Sequence, residues 1–197
     1  MKVQSQAPQP AAVTVFEGAR LIVGDGSAPI ENSAFVIQGN RFTQVGRKGQ
    51  MKVPTGAARV DLTGKTVMPT IIDAHTHQPQ MRDALIDSLQ RKAYYGVAAL
   101  ISLGQDPGDL PYQIRQEVIP NAALFRTAGR ATRNAAQVLK LTDLGTVAVG
   151  KSADFLVLDA NPLENITNTR RIATVYLRGK AVDRAALRSR WNGGKSE

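Results

Sequence analysis

The 197-residue chain has no cysteine and only two histidines, and the two stand together as His75 and His77. Without cysteine there is neither a disulfide framework nor a thiolate metal site. Aromatic residues are scarce at 5%. No apolar run approaches the roughly 18 residues that span a bilayer, so no membrane partner is expected. No signal-peptide h-region follows Met1-Lys2. The polar, Pro-rich opening, residues 1–12, reads as a flexible tail similar to the start of a mature exported (periplasmic) protein. What remains is 43% apolar, enough for a folded core in one domain or two small ones.

Acid is also in short supply. The formal charge is +9 and the pI near 10.2, which raises the question of nucleic acid. Arg178, Lys180, Arg184, Arg188, Arg190 and Lys195 crowd the end of the chain, opposed beyond Ile172 only by Asp183 and Glu197. These charges are spread over strand, turn and helix, and only Tyr176 and Trp191 are placed to stack on bases. The pattern reads as a solvated basic face rather than a nucleic-acid site.

Along the chain, Val13 to Val23 is a mostly apolar strand, and Ala34–Ile37 and Arg41–Val45 flank the hairpin signal Gly39-Asn40. Val67 to Ala74 follows Thr63-Gly64 and carries Val and two Ile, which indicates a buried strand. Met81, Leu85, Ser88, Leu89 and Lys92 keep helical spacing, so residues 80–95 form a helix stopped by Gly96, with a second strand at Val97–Leu103. A short helix at Leu110–Val118 and a third strand at Ala122–Thr127 complete an alternation that implies parallel βαβ units. Thr132 caps a helix to about Leu141. Strands then follow at Thr146–Val149, Asp154–Asp159, Ala173–Leu177 and Ala181–Val182, with a basic helix at Arg184–Trp191.

Successive side chains of a strand alternate between faces, so residues two apart converge. His75 and His77, at the end of the Val67–Ala74 strand, thus make a half-site for zinc or another divalent transition metal. Asp73 shares their face if the strand stays regular, although a hydrogen-bonding role at the strand end suits it better. One further motif is misleading. Residues 145–152, Gly-Thr-Val-Ala-Val-Gly-Lys-Ser, satisfy the phosphate-loop pattern, but that mechanism needs a strand before and a helix after. Here a β-rich run, Asp154–Leu158, follows, and Gly150-Lys151-Ser152 reads as a hairpin turn.

Residues 61–69, Asp-Leu-Thr-Gly-Lys-Thr-Val-Met-Pro, followed by Ile72-Asp73-Ala74-His75-Thr76-His77, resemble the amidohydrolase superfamily, closest to its imidazolonepropionase-like and prolidase-like group. There the segment is the last strand of a small β-sandwich running into the first strand of a barrel. Gly145–Asp159, with Asn161-Pro162-Leu163 and Ile172–Val182, is similar to the segment that returns to the sandwich, and Ala131–Ala136 to the final barrel helix. Thr70 stands where the family usually has Gly. The resemblance covers roughly residues 13 to 183 and implies hydrolysis of C–N or ester bonds by a metal-activated water.

The family's ligand set also includes a carboxylated Lys or a Glu from strand four, a His from each of strands five and six, and an Asp from strand eight. His75 and His77 exhaust the histidines, and Asp143 matches a different position. A (β/α)₈ barrel alone takes about 250 residues. The text jumps near Gly129-Arg130-Ala131 from about the third barrel strand to the eighth helix.

The expected fold is therefore mixed α/β: a β-sandwich built from both chain ends (residues 13–66 with 145–183), a partial (β/α) barrel remnant (67–144), and a basic C-terminal helix and tail (184–197). The expected function is that of a metal-dependent hydrolase acting on a small-molecule amide, imide, peptide-like or ester substrate. It is impaired by its missing ligands and base, and no catalytic residue is assigned, although a rearranged fold could bring Asp83, Asp87 or Asp106 to the site. A catalytically silent fragment and a basic nucleic-acid binder are the alternatives. Open strand edges in a three-strand remnant predict a homo-oligomer.

Overall fold

A computed structural model describes residues 12–102, 109–127 and 143–192. Among the described residues the fold is mixed α/β, with three sheets and few helices. The first sheet has the order β4-β3-β1-β5, with β1 Val13–Glu17, β3 Ser33–Gln38, β4 Arg41–Arg47 and β5 Ala58–Asp61. β3 and β4 form the hairpin predicted around Gly39-Asn40. The second sheet has the order β12-β11-β10-β6-β2, drawing β2 Arg20–Leu21 and β6 Thr66–Pro69 from one chain end and β10 Phe155–Leu158, β11 Ile172–Leu177 and β12 Lys180–Ala181 from the other. The ends meet in the antiparallel β6–β10 pair, with Met68 opposite Leu156.

Aromatic side chains join these two sheets. Phe16 and Phe35 of the first stack at 5.0 Å, Phe155 and Tyr176 of the second at 4.5 Å, and Phe35 meets Phe155 edge-on at 5.3 Å. Such pairs add about 0.5–1.5 kcal/mol each beyond the area they bury. β10 is buried on both faces, as its unbroken Phe-Leu-Val-Leu requires. Phe155 and Val157 enter the aromatic core. Leu156 and Leu158 enter a second core with Leu85, Leu89 and Ala93.

Those three residues belong to α1, Arg82–Tyr94, which lies over the third sheet: parallel strands β7 Ile71–Thr76, β8 Val97–Ser102 and β9 Leu124–Thr127, in that order. Gly96 ends α1 at φ +85, and a Cβ there would stand 2.6 Å from Leu156 Cδ2, so only glycine lets the turn pass β10. A short α2, Leu110–Ile114, precedes β9, and α3, Arg184–Asn192, packs on α1.

Several sequence expectations need correction. Val13–Val23 is not one strand: Gly18, at φ +93, turns the chain so that β1 and β2 enter different sheets. Val67–Ala74 likewise divides at Thr70, with β6 in the second sheet and β7 in the third. Thr146–Val149 is not a strand; Val147 is buried, but its N–H donates to Val23 O outside any ladder. α2 stops at Ile114, short of Val118. The solvated basic face is also only partly so. Arg184 donates to the carbonyls of Tyr94 and Ile172, and Arg190 donates to Gln90 and Asp87. The helix expected at Thr132–Leu141, the tail before residue 12, and Asp106 lie outside the described residues.

Candidate metal half-site

β7 leaves Thr70 and runs beside β8, which pairs with it in parallel. Between Asp73 and Thr76, three steps on β7 answer two on β8, from Leu100 to Ser102. The extra residue is a bulge that breaks the strict alternation assumed for Asp73, His75 and His77. The two histidines nevertheless stay together. Both side chains are exposed at the C-terminal end of β7, with ring centroids 5.3 Å apart and planes at 79°.

Asp73 takes another role. Its Oδ1 accepts the backbone N–H of His75 at 3.3 Å, and its Oδ2 accepts Lys92 Nζ, from the last turn of α1, at 2.6 Å. Burial alone would raise the Asp73 carboxyl; the Lys92 hydrogen bond and charge, with the His75 N–H, outweigh it and hold the group below its ordinary value. The carboxylate is thus ionised and occupied on both oxygens. Sequence reasoning favoured a hydrogen-bonding role for Asp73 but did not see Lys92, whose nineteen-residue separation is the span of one βα unit.

Asp87 is no freer. Asp87 Oδ1 accepts both Trp191 Nε1 and Arg190 at 2.7 Å, and its Oδ2 accepts Arg91 at 2.6 Å. Burial opposes ionisation there too, yet the hydrogen bonds of Arg91 and Trp191 and the neighbouring charges hold Asp87 low. Asp83 is exposed in the first turn of α1. Among the described residues, no three His, Cys, Asp or Glu converge on a point.

A tetrahedral ion about 2.0 Å from one nitrogen of each ring sets the ring centres about 5 Å apart. The observed 5.3 Å is close to that spacing. The two histidines do not make an open catalytic site, which needs three protein ligands and a free position.

A second charged feature lies far from the histidines, at the opposite end of the parallel strands. Arg41, Arg126, Asp143, Asp154 and Arg178 line a cavity of 310 Å³ that reaches Ala98 and Leu124, near the starts of β8 and β9. Asp143 pairs with Arg41 at 2.7 Å, which places it in the connection between sheets and away from the metal pair. Asp154 is 4% exposed; burial pushes its carboxyl up against the lowering pull of Ser152, Arg178 and Arg41. Residues 145–152 hold no phosphate-loop geometry: Gly150, at φ +80, closes a turn in which Lys151 N–H donates to Ala148 O, and strand β10 follows.

The model of the Amidohydrolase family matches residues 120–182. An adenine deaminase of Desulfitobacterium hafniense (strain Y51) is 35% identical over 80 residues. That match spans 41% of this chain and only 13% of the deaminase. Among solved structures, a prolidase-like protein of Bifidobacterium longum aligns with TM-score 0.69 at 15% identity, covering 92% of this chain and 99% of the other. Molinate hydrolase aligns at 0.66 and 12% identity (91% and 96% covered), and A. niger ochratoxinase at 0.60 and 11% (88% and 96%). At these identities the structures speak for the fold alone. The sequence matches and the shared fold support the resemblance of this chain to the amidohydrolase superfamily.

Proposed function

We propose that the chain is an amidohydrolase-type hydrolase whose action on C–N or ester bonds is impaired. In this reading the two packed sheets are the composite β-sandwich of residues 13–66 with 145–183. The three parallel strands are a barrel remnant within residues 67–144. The small-molecule substrate class is amide, imide, peptide-like or ester, in keeping with relatives named as a deaminase, a prolidase-like protein and hydrolases. His75 and His77 are the residues that hold zinc or another divalent ion, which when bound supplies Lewis acidity and a more acidic water.

The observation that carries the reading is the inventory around the pair. Two imidazoles meet at 5.3 Å, while Asp73 and Asp87 have both carboxylate oxygens occupied by other donors. Among the described residues no third ligand converges on the pair, and the carboxylates of Asp73 and Asp87 are held by other donors. A nucleic-acid role has less support. Tyr176 is stacked on Phe155, and Trp191 lies against Tyr94 with the Arg91 guanidinium 4.4 Å above it, so neither ring offers a free face to bases.

Titration calorimetry tests the metal half of the reading. Zinc binds the wild-type chain at pH 8, and either His75→Ala or His77→Ala abolishes the binding. Heat-free titration at pH 8 refutes the metal assignment.

A further inference from the structure

The half-site raises a question of completion. Zinc in a closed site is four-coordinate, and its protein ligands are thiolate, imidazole or carboxylate. This chain has no cysteine and no third histidine. The carboxylate nearest the pair, Asp73, is committed to Lys92 and to the His75 N–H. Within the described residues one chain offers two ligands and no more.

The surroundings of the pair favour a second copy over any other source of the missing ligands. β7 is the edge strand of its sheet, and among the described residues no strand pairs with its outer side. That edge is also apolar in part: Ile71 is 43% exposed and Ala74 is exposed. An open edge is a template for pairing with an identical chain. A two-fold axis repeats the same patch on both partners, so each residue of the site is supplied twice. Two copies of a bis-histidine patch make four neutral imidazoles, the full complement of a tetrahedral ion.

We propose that a second copy of this chain completes the site, with one borderline transition-metal ion of the zinc class held on a two-fold axis by His75 and His77 of each chain. The inference rests on the reading of these histidines as metal holders, and it assigns the ion a bridging rather than a catalytic place. Hard ions such as Mg²⁺ and Ca²⁺ prefer oxygen ligands and do not substitute. Each chain carries +9, so two copies repel and the bridged dimer strengthens as salt screens that charge.

The test is sedimentation velocity on the full chain, stripped with EDTA and then titrated with zinc chloride, with bound zinc counted by atomic absorption. The expected result is a shift to twice the 21.2 kDa chain mass at one zinc per two chains, reversed by EDTA and not produced by MgCl₂. His75→Ala and His77→Ala are each expected to stay at the single-chain mass with zinc present, while circular dichroism shows the wild-type fold. One zinc per chain with unchanged mass overturns the sharing and leaves the half-site reading standing. No bound zinc overturns both. A dimer that persists in EDTA, or one that both alanine variants still form with zinc, also overturns the bridging site.

Discussion

Replacing Lys92 by Met removes one charge while keeping most of the side chain's apolar stem, and so isolates what the Asp73–Lys92 pair contributes. The two side chains are 24% and 33% exposed and meet at 2.6 Å, between the regime of surface pairs and that of buried ones. Exposed ion pairs contribute about 0–1 kcal/mol, and stranding a buried charge costs about 3–5 kcal/mol. Solvent screening at this exposure puts the loss near the lower regime, about 1 kcal/mol. With m near 2 kcal/mol/M, urea unfolding should shift its midpoint down by about half a molar. The pH dependence follows from the lowered Asp73 carboxyl. A group depressed on folding contributes stability in full above its unfolded value, about 3.9, and loses it as pH falls through the folded value. The difference between wild type and Lys92→Met should therefore be complete at pH 7 and fade below about pH 4. A difference that persists undiminished at pH 2 means that Lys92 acts by packing, and a difference under about 0.3 kcal/mol at pH 7 means that the pair is idle; either result refutes the reasoning.

Two further substitutions probe the turns that set the site. Gly96→Ala forces a Cβ to within 2.6 Å of Leu156 at φ +85, so calorimetry should show a loss of about 2–3 kcal/mol, and an unchanged melting temperature refutes the close approach. Thr70 is 5% exposed and its Oγ1 meets no hydrogen-bond partner among the described residues, so Thr70→Val should stabilise by about 1 kcal/mol in urea unfolding; destabilisation shows that the hydroxyl is satisfied.

Much of this architecture was legible before any coordinates. The Gly39-Asn40 hairpin, the spacing of Leu85 and Leu89, and the His75–His77 pair each depend on residues close in sequence, where periodicity and turn chemistry act directly. The misreadings have a common cause: local pattern does not report which sheet a strand joins. Val13–Val23 and Val67–Ala74 are apolar almost throughout, so nothing but Gly18 and Thr70 marks where the chain leaves one sheet for another. Val147 is apolar and buried as a strand residue is, yet it fills a loop. β5 was missed because its alternation, Ala58-Arg59-Val60-Asp61, is only four residues long and carries one large apolar side chain. The state of the site was hidden for the same reason: Lys92 reaches Asp73, and Arg190 and Trp191 reach Asp87, only after a helix folds back or the chain end returns. Those long-range partners turn two candidate acids into structural ones.

In the proposed function the His75–His77 pair holds metal without supporting efficient hydrolysis. The direct measurement is turnover of amide and ester substrates by the full chain at saturating zinc, compared between wild type and His75→Ala. Slow or undetectable rates that do not differ between the two proteins are expected. Robust zinc-dependent turnover that disappears in His75→Ala would contradict that reading.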